Sequence, residues 1–256
     1  LAQEANPFAA AFIILLLPGS ILLLGFGFID RYAWLRQFPG TYMLLRSAGV
    51  LMIVTAGLWA AFQGNLNRML GYALILEVGF SLIALSLAQG EKVKIYLDMF
   101  FAAGVPRGLG LGVWALALSA LRSKTPELGF DHVRGLARRN PIVAGSLILA
   151  HFSLAGLPLF AHFPVRLFLL EGLAQGYPLS AVWALLCMVG LLAGCLRSLA
   201  ILVSGDEEEP WQVTESWFLI FYLVVGVVGL LTLGVFPQWF MHLFASMPGA
   251  FQQLVP

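Results

Sequence analysis

The sequence predicts an all-α fold: a polytopic membrane bundle of about eight transmembrane helices, some of them broken. Three observations carry this. First, 60% of the 256 residues are apolar and only 11% are Asp, Glu, Lys or Arg, against about 25% charged in a soluble domain. Mean hydropathy is +0.90. Side chains at that apolar density cannot all be hidden in one core of this length, so a soluble enzyme is excluded. Second, the apolar residues fall into runs of roughly the 20 residues that a helix needs to cross the hydrocarbon. Third, prolines and glycines interrupt several of these runs, and a proline removes a helix donor and kinks the chain. The net charge of +1 offers no basic face to neutralise phosphates, so nucleic acid is not an expected partner.

In chain order, the predicted spans cover about 8–29, 42–62, 69–88, 95–121, 141–157, 160–175, 178–203 and 215–236, with ends good to about ±4 residues. Together they form one transmembrane domain, 1–256. The first span carries Pro18-Gly19 at its midpoint and the fourth carries Pro106. Gly156-Leu157-Pro158 separates the fifth from the sixth. Each is read as a helix break. Such breaks are tolerated in lipid where they are buried in protein or line a hydrated cavity. Polar connections run from Asp30 to Gly40, Arg122 to Asn140 and Ser204 to Ser216. If all eight spans cross, the acidic run Asp206-Glu207-Glu208-Glu209 lies opposite the Arg122–Asn140 loop, which the excess of Lys and Arg places in the cytoplasm. Cys187 and Cys195 lie inside one apolar run, without the spacing of a metal or iron–sulfur site. Gly108, Gly110 and Gly112 suit helix packing rather than a dinucleotide loop. The chain starts at Leu1, and an N-terminal portion is expected to be missing.

The residues that bear on function are the ionisable ones inside the apolar runs: Glu77, Asp98, Arg107, His151, His162, Arg166, Glu171 and Arg197. An ionised group at mid-membrane costs about 2.5–3.5 kcal/mol on insertion scales, so such groups face the bundle interior and mark proton or ion paths. Glu77 lies well inside its run, whereas Asp98 and Arg107 are expected near an interface, where snorkelling suffices. His162 follows the break at Pro158. His151, at mid-span, is either a relay member or a packed core group. Arg166 and Glu171, five apart, do not face one another on a helix. Arg197 is expected to reach the headgroups. Glu77, His151, His162, Arg166 and Asp98 define the candidate proton or ion pathway. No nucleophile–base pair or metal-ligand cluster suggests catalysis by the isolated chain.

Four stretches resemble one family. Gln63-Gly64-Asn65-Leu66-Asn67-Arg68-Met69-Leu70-Gly71-Tyr72, continuing to Glu77-Val78-Gly79, is similar to the Q-x-(D/N)-L-K-R-L-L-A-Y segment of antiporter-like subunits. Asp131-His132-Val133-Arg134-Gly135-Leu136-Ala137-Arg138-Arg139-Asn140-Pro141 resembles the loop D-x-x-G-L-(A/G)-R-R-x-P of the N-type member. Ser153-Leu154-Ala155-Gly156-Leu157-Pro158, running on to Arg166, follows S-L-A-G-I-P-P-x-A-G-F-x-G-K. Tyr96 to Trp114 is faintly like a fourth family helix. Antiporter-like subunits belong to the membrane arm of proton-pumping NADH:quinone oxidoreductase, respiratory complex I, and to the related Mrp-type antiporters.

The resemblance implies a fold of about fourteen helices in two inverted repeats with broken helices, of which this chain matches the C-terminal half: the second repeat plus flanking helices. It implies an integral protein of an energy-transducing membrane, with other membrane subunits and the lipid bilayer as partners and quinone met only through neighbouring subunits. No cofactor is implied for this chain. The family's proton path uses lysines. Here Asn67 stands at the motif lysine, no Lys precedes Lys92, Arg166 matches the lysine after the break, and Glu77 matches a histidine or glutamine. Arginine keeps its charge where lysine can exchange a proton, so Arg166 is expected to set the field of Glu77. The expected function is a membrane-arm subunit contributing to, or descended from, a proton channel. The alternatives are a non-pumping structural subunit and a stand-alone cation/proton antiporter.

Overall fold

Proline and asparagine mark many of the helix starts. Pro39, Pro141, Pro164 and Pro178 occupy the first turns of their helices, where a missing N–H costs nothing. Asn65 accepts hydrogen bonds from the backbone of Asn67 (3.0 Å) and Arg68 (3.2 Å), satisfying donors that a helix start leaves free. The computed structural model describes residues 7–125, 127–205, 211–241, 246–251 and 254. The acidic run 206–209 lies outside them. The described residues form α1 (Pro7–Arg31), α2 (Ala33–Gln37), α3 (Pro39–Phe62), α4 (Leu66–Leu87), α5 (Val93–Ala102), α6 (Gly104–Arg122), α7 (Phe130–Val133), α8 (Leu136–Arg139), α9 (Pro141–Ala155), α10 (Phe163–Gly176), α11 (Pro178–Val203), α12 (Trp217–Val235) and α13 (Gln238–Met241), with no named strand among them.

Five stretches are each long and apolar enough to cross a membrane: Pro39–Phe62, Leu66–Leu87, Gly90–Arg122, Pro178–Val203 and Trp217–Val235. Lipid-facing helices are apolar outside as well as inside, as the exposed Trp217, Phe218, Phe221 and Val225 of α12 show. The inner layer is α4, whose span is 67% buried, against 22% for α12.

Two predicted spans merge into one. α9 has 15 residues and α10 has 14, so each covers about 21–23 Å, short of the roughly 30 Å hydrocarbon. They run on in series, and α11 then returns to the end where α9 began. There the amide of Gly135 donates to Ile201 O (3.1 Å), that of Gln212 to Arg138 O (2.8 Å), and Arg134 Nε to Ser204 O (3.2 Å). The same end holds the start of α4, where Phe130 N donates to Gly64 O (2.9 Å). The opposite end holds Arg46 over the Tyr177 ring at 3.3 Å. Among the described residues α9 and α10 together thus make one pass, not the two expected. The residues flanking 206–210 lie beside the Arg122–Asn140 loop, whereas eight crossings would put those two connections on opposite sides.

The breaks also differ from expectation in one case. α1 continues past Pro18 and Gly19, so no break lies there. A proline inside a helix strips a hydrogen bond from the carbonyl four residues earlier, and a continuous helix tolerates that single loss. The helix is interrupted at Ala103, between α5 and α6, three residues before Pro106. Between α9 and α10 it is fully open: Gly156 (φ +78°) and Leu159 (φ +75°) both adopt left-handed backbone. Gly156 also leaves room for a neighbour, since a Cβ there would stand 3.0 Å from Arg166 Cδ.

Candidate functional site

α4 carries Glu77 at its middle, about 16 Å from the helix start. Phe80 and Ser81 follow at three and four residues and share its face. Arg107, in the first turn of α6 beyond the interruption at Ala103, reaches that face, and the opening between α9 and α10 brings His162 and Arg166. All four ionisable side chains are buried: Glu77 3% exposed, Arg107 9%, His162 2% and Arg166 3%.

Glu77 is held from three sides. Arg166 Nη2 donates to Glu77 Oε1, and the Arg166 guanidinium lies 4.9 Å over the Phe80 ring. Arg107 Nε donates to Glu77 Oε2 at 3.3 Å. Its Nη2 reaches both the backbone carbonyl of Glu77 at 3.2 Å and Ser81 Oγ. Ser81 in turn donates to the Glu77 carbonyl (3.0 Å). On the third side His162 Nε2 stands 3.6 Å from Glu77 Oε1, beyond hydrogen-bond range, while its Nδ1 is 2.9 Å from Ser153 Oγ of α9. A carboxylate beside Nε2 favours a proton on that nitrogen, which leaves Nδ1 to accept from the Ser153 hydroxyl. A cavity of about 20 Å³ adjoins the cluster, walled by Glu77, Ser81, Arg107, His162, Arg166 and apolar side chains including Phe80 and Phe100. It has room for about one water.

The structure therefore brings together Glu77, His162 and Arg166. It does not bring in the other two pathway candidates. His151 is fully buried but stacks on Trp114 (centroids 4.2 Å apart, 27° between planes) and interacts with the Leu191 backbone; no hydrogen bond joins it to His162. Asp98 is half-buried on α5, next to Lys94 one turn earlier. Arg107, expected near an interface, is instead a full member of the cluster. Glu171 is exposed, and so is Arg197, whose guanidinium lies over Phe130 near the end of the bundle. Among the described residues no group of three or more His, Cys, Asp or Glu could hold a metal ion. Of the three glycines at 108–112, only Gly110 is crowded: a Cβ there would stand 2.9 Å from His162 Cε1.

The family described as NADH:quinone oxidoreductase/Mrp antiporter, transmembrane, matches residues 4–196. The NADH-quinone oxidoreductase subunit N of Rhodopseudomonas palustris is 35% identical over 189 residues, 69% of this chain and 38% of that protein. Subunit N 1 of Solibacter usitatus is 29% identical over 216 residues, 81% of this chain and 42% of that protein. The chain thus spans roughly two fifths of the length of these relatives. Among solved structures, a chain of the membrane-bound sulfane sulfur reductase, an archaeal respiratory membrane complex, shares the fold with a TM-score of 0.85 at 19% identity. That match covers 99% of this chain and 50% of the other. A chain of respiratory complex I from Thermus thermophilus gives 0.72 at 23% identity, covering 91% and 50%.

Proposed function

This integral membrane chain belongs to the NADH:quinone oxidoreductase/Mrp antiporter transmembrane family, and from that premise we propose that it is an antiporter-like subunit in the membrane arm of a quinone-oxidoreductase complex, working in proton translocation. The observation that carries the reading is the ionic centre at mid-bundle. A carboxylate with two guanidinium partners, buried in the middle of a membrane protein, is costly to build and marks function by default. Glu77 is its protonatable member. Arg107 and Arg166 supply guanidinium groups, fixed charges where lysine would exchange a proton, and set the field that Glu77 feels. His162, oriented by Ser153, stands one small movement away: closing the 3.6 Å separation by about 0.7 Å makes a hydrogen bond through which a proton can pass. We place redox groups and quinone in neighbouring subunits. The end carrying Arg68, Arg122, Lys124, Arg134, Arg138, Arg139 and Arg197 is assigned to the cytoplasm, against Arg31, Arg36, Arg46, Lys92 and Lys94 at the other.

A structural, non-pumping role is the second reading, favoured by the size of the cavity, which holds about one water rather than a continuous file. Coupled proton uptake by vesicles containing the assembled complex separates the two. With Arg166→Ala or Glu77→Gln, uptake is expected to be lost while assembly persists. Unchanged uptake in both variants would remove the pumping reading and leave the structural one.

A further inference from the structure

We propose that the Arg107–Glu77–Arg166 centre binds one small monovalent anion of the halide class. The inference rests on the make-up of the site and stands whether or not protons cross there.

Charge is the first argument. Two guanidinium groups meet one carboxylate, and His162, accepting from Ser153 through Nδ1, adds no negative charge. With Glu77 ionised, the buried cluster keeps an excess of one positive charge. No second carboxylate offsets it: Asp98 lies beside Lys94, and Glu171 is exposed. An unpaired charge in such a place is costly, and a bound anion relieves it. Donors are the second. Arg166 Nη1 and His162 Nε2 are both buried and make no hydrogen bond, although their residues wall the same cavity. Both nitrogens therefore have donor capacity to spare, although Glu77 Oε1 stands 3.6 Å from His162 Nε2, and the guanidiniums disfavour any cation. Size is the third. The space beside the cluster is small, with room for about one water, which suits a compact monatomic anion better than sulfate, phosphate or an organic carboxylate. A water alone would satisfy the donors but not the charge.

The test uses the purified chain in detergent, with gluconate as the bulk anion. Chloride or bromide is expected to raise the melting midpoint saturably, as binding to the folded state requires, while sulfate at equal ionic strength does not. Glu77→Gln removes the competing negative charge and is expected to lower the apparent Kd at least about tenfold; Arg107→Gln removes the excess positive charge and should abolish the saturable response. Because a variant can fail to fold, bromide-soaked crystals of the unaltered chain supply a second readout: an anomalous peak between Arg166 and His162. Equal responses to chloride and sulfate, or cavity density without anomalous signal, would overturn the proposal. Neither result bears on proton uptake, so the two readings fail separately.

Discussion

At position 77 a single carboxylate answers for two guanidinium groups, and that imbalance ranks the substitutions around it. Removing Arg107 leaves Glu77 and Arg166 as a neutral pair. Removing Glu77 leaves two like charges buried side by side, and breaking a buried network in this way costs about 3–5 kcal/mol. In gluconate buffer, Glu77→Leu is therefore expected to lower the melting midpoint of the detergent-solubilised chain more than Arg107→Met does. The opposite order would mean that Arg107 is held mainly by Ser81 and the Glu77 carbonyl. Glu77, His162 and Arg166 were legible in the sequence because an ionisable residue stands out against an apolar run. Arg107 was not, since its depth depends on where α5 gives way to α6. Ser81 carries no signal, and Ser153 is visible only as the opening of a family motif: a serine in a membrane helix is common, and only the fold shows which ones face an arginine or a histidine.

Helices meet in this bundle where glycine lets backbones approach. A Cβ on Gly57 of α3 would collide with the Cys187 carbonyl of α11, and one on Gly190 with the Gly57 carbonyl. Close approach of this kind, through small residues, is how helices associate where lipid gives no hydrophobic drive. Gly71 on α4 has nothing within 4 Å of its added Cβ. Gly57→Ala is thus expected to destabilise the chain by about 1–3 kcal/mol through overpacking. Gly71→Ala should be neutral or stabilising by up to about 1 kcal/mol, the helix-propensity difference. Thermal unfolding in one detergent compares them, and equal effects would deny the α3–α11 contact. Glycine and proline are visible in sequence, but their consequences depend on neighbours. Pro18 passes inside an unbroken α1. Near Pro158 the chain opens because two residues take positive φ and Arg166 needs the space beside Gly156.

Counting passes is where hydropathy is weakest, because it sums apolar length without knowing whether two short helices run in series or turn back. The 141–157 and 160–175 segments read as two spans, yet α9 and α10 are halves of one. That single merger reverses the side of every later connection. It also makes sense of polar contacts that an eight-pass chain would place a membrane apart. Glu215 Oε1 accepts from the first amides of α9, Ile142 N (2.9 Å) and Val143 N (3.3 Å), and Thr214 donates to Arg139 O (2.9 Å). Both belong to the segment before α12, and both clasp the end of the Arg122–Asn140 loop. Side-specific labelling tests the topology directly. With Cys187 and Cys195, both buried, replaced by alanine, a cysteine at Lys124 and one at Trp211 should react with an impermeant thiol reagent from the same side of sealed vesicles. One at Lys92 should react only from the other. Labelling of 124 and 211 from opposite sides would restore the eighth pass and pull apart the helix ends that hold His162 and Arg166 at Glu77.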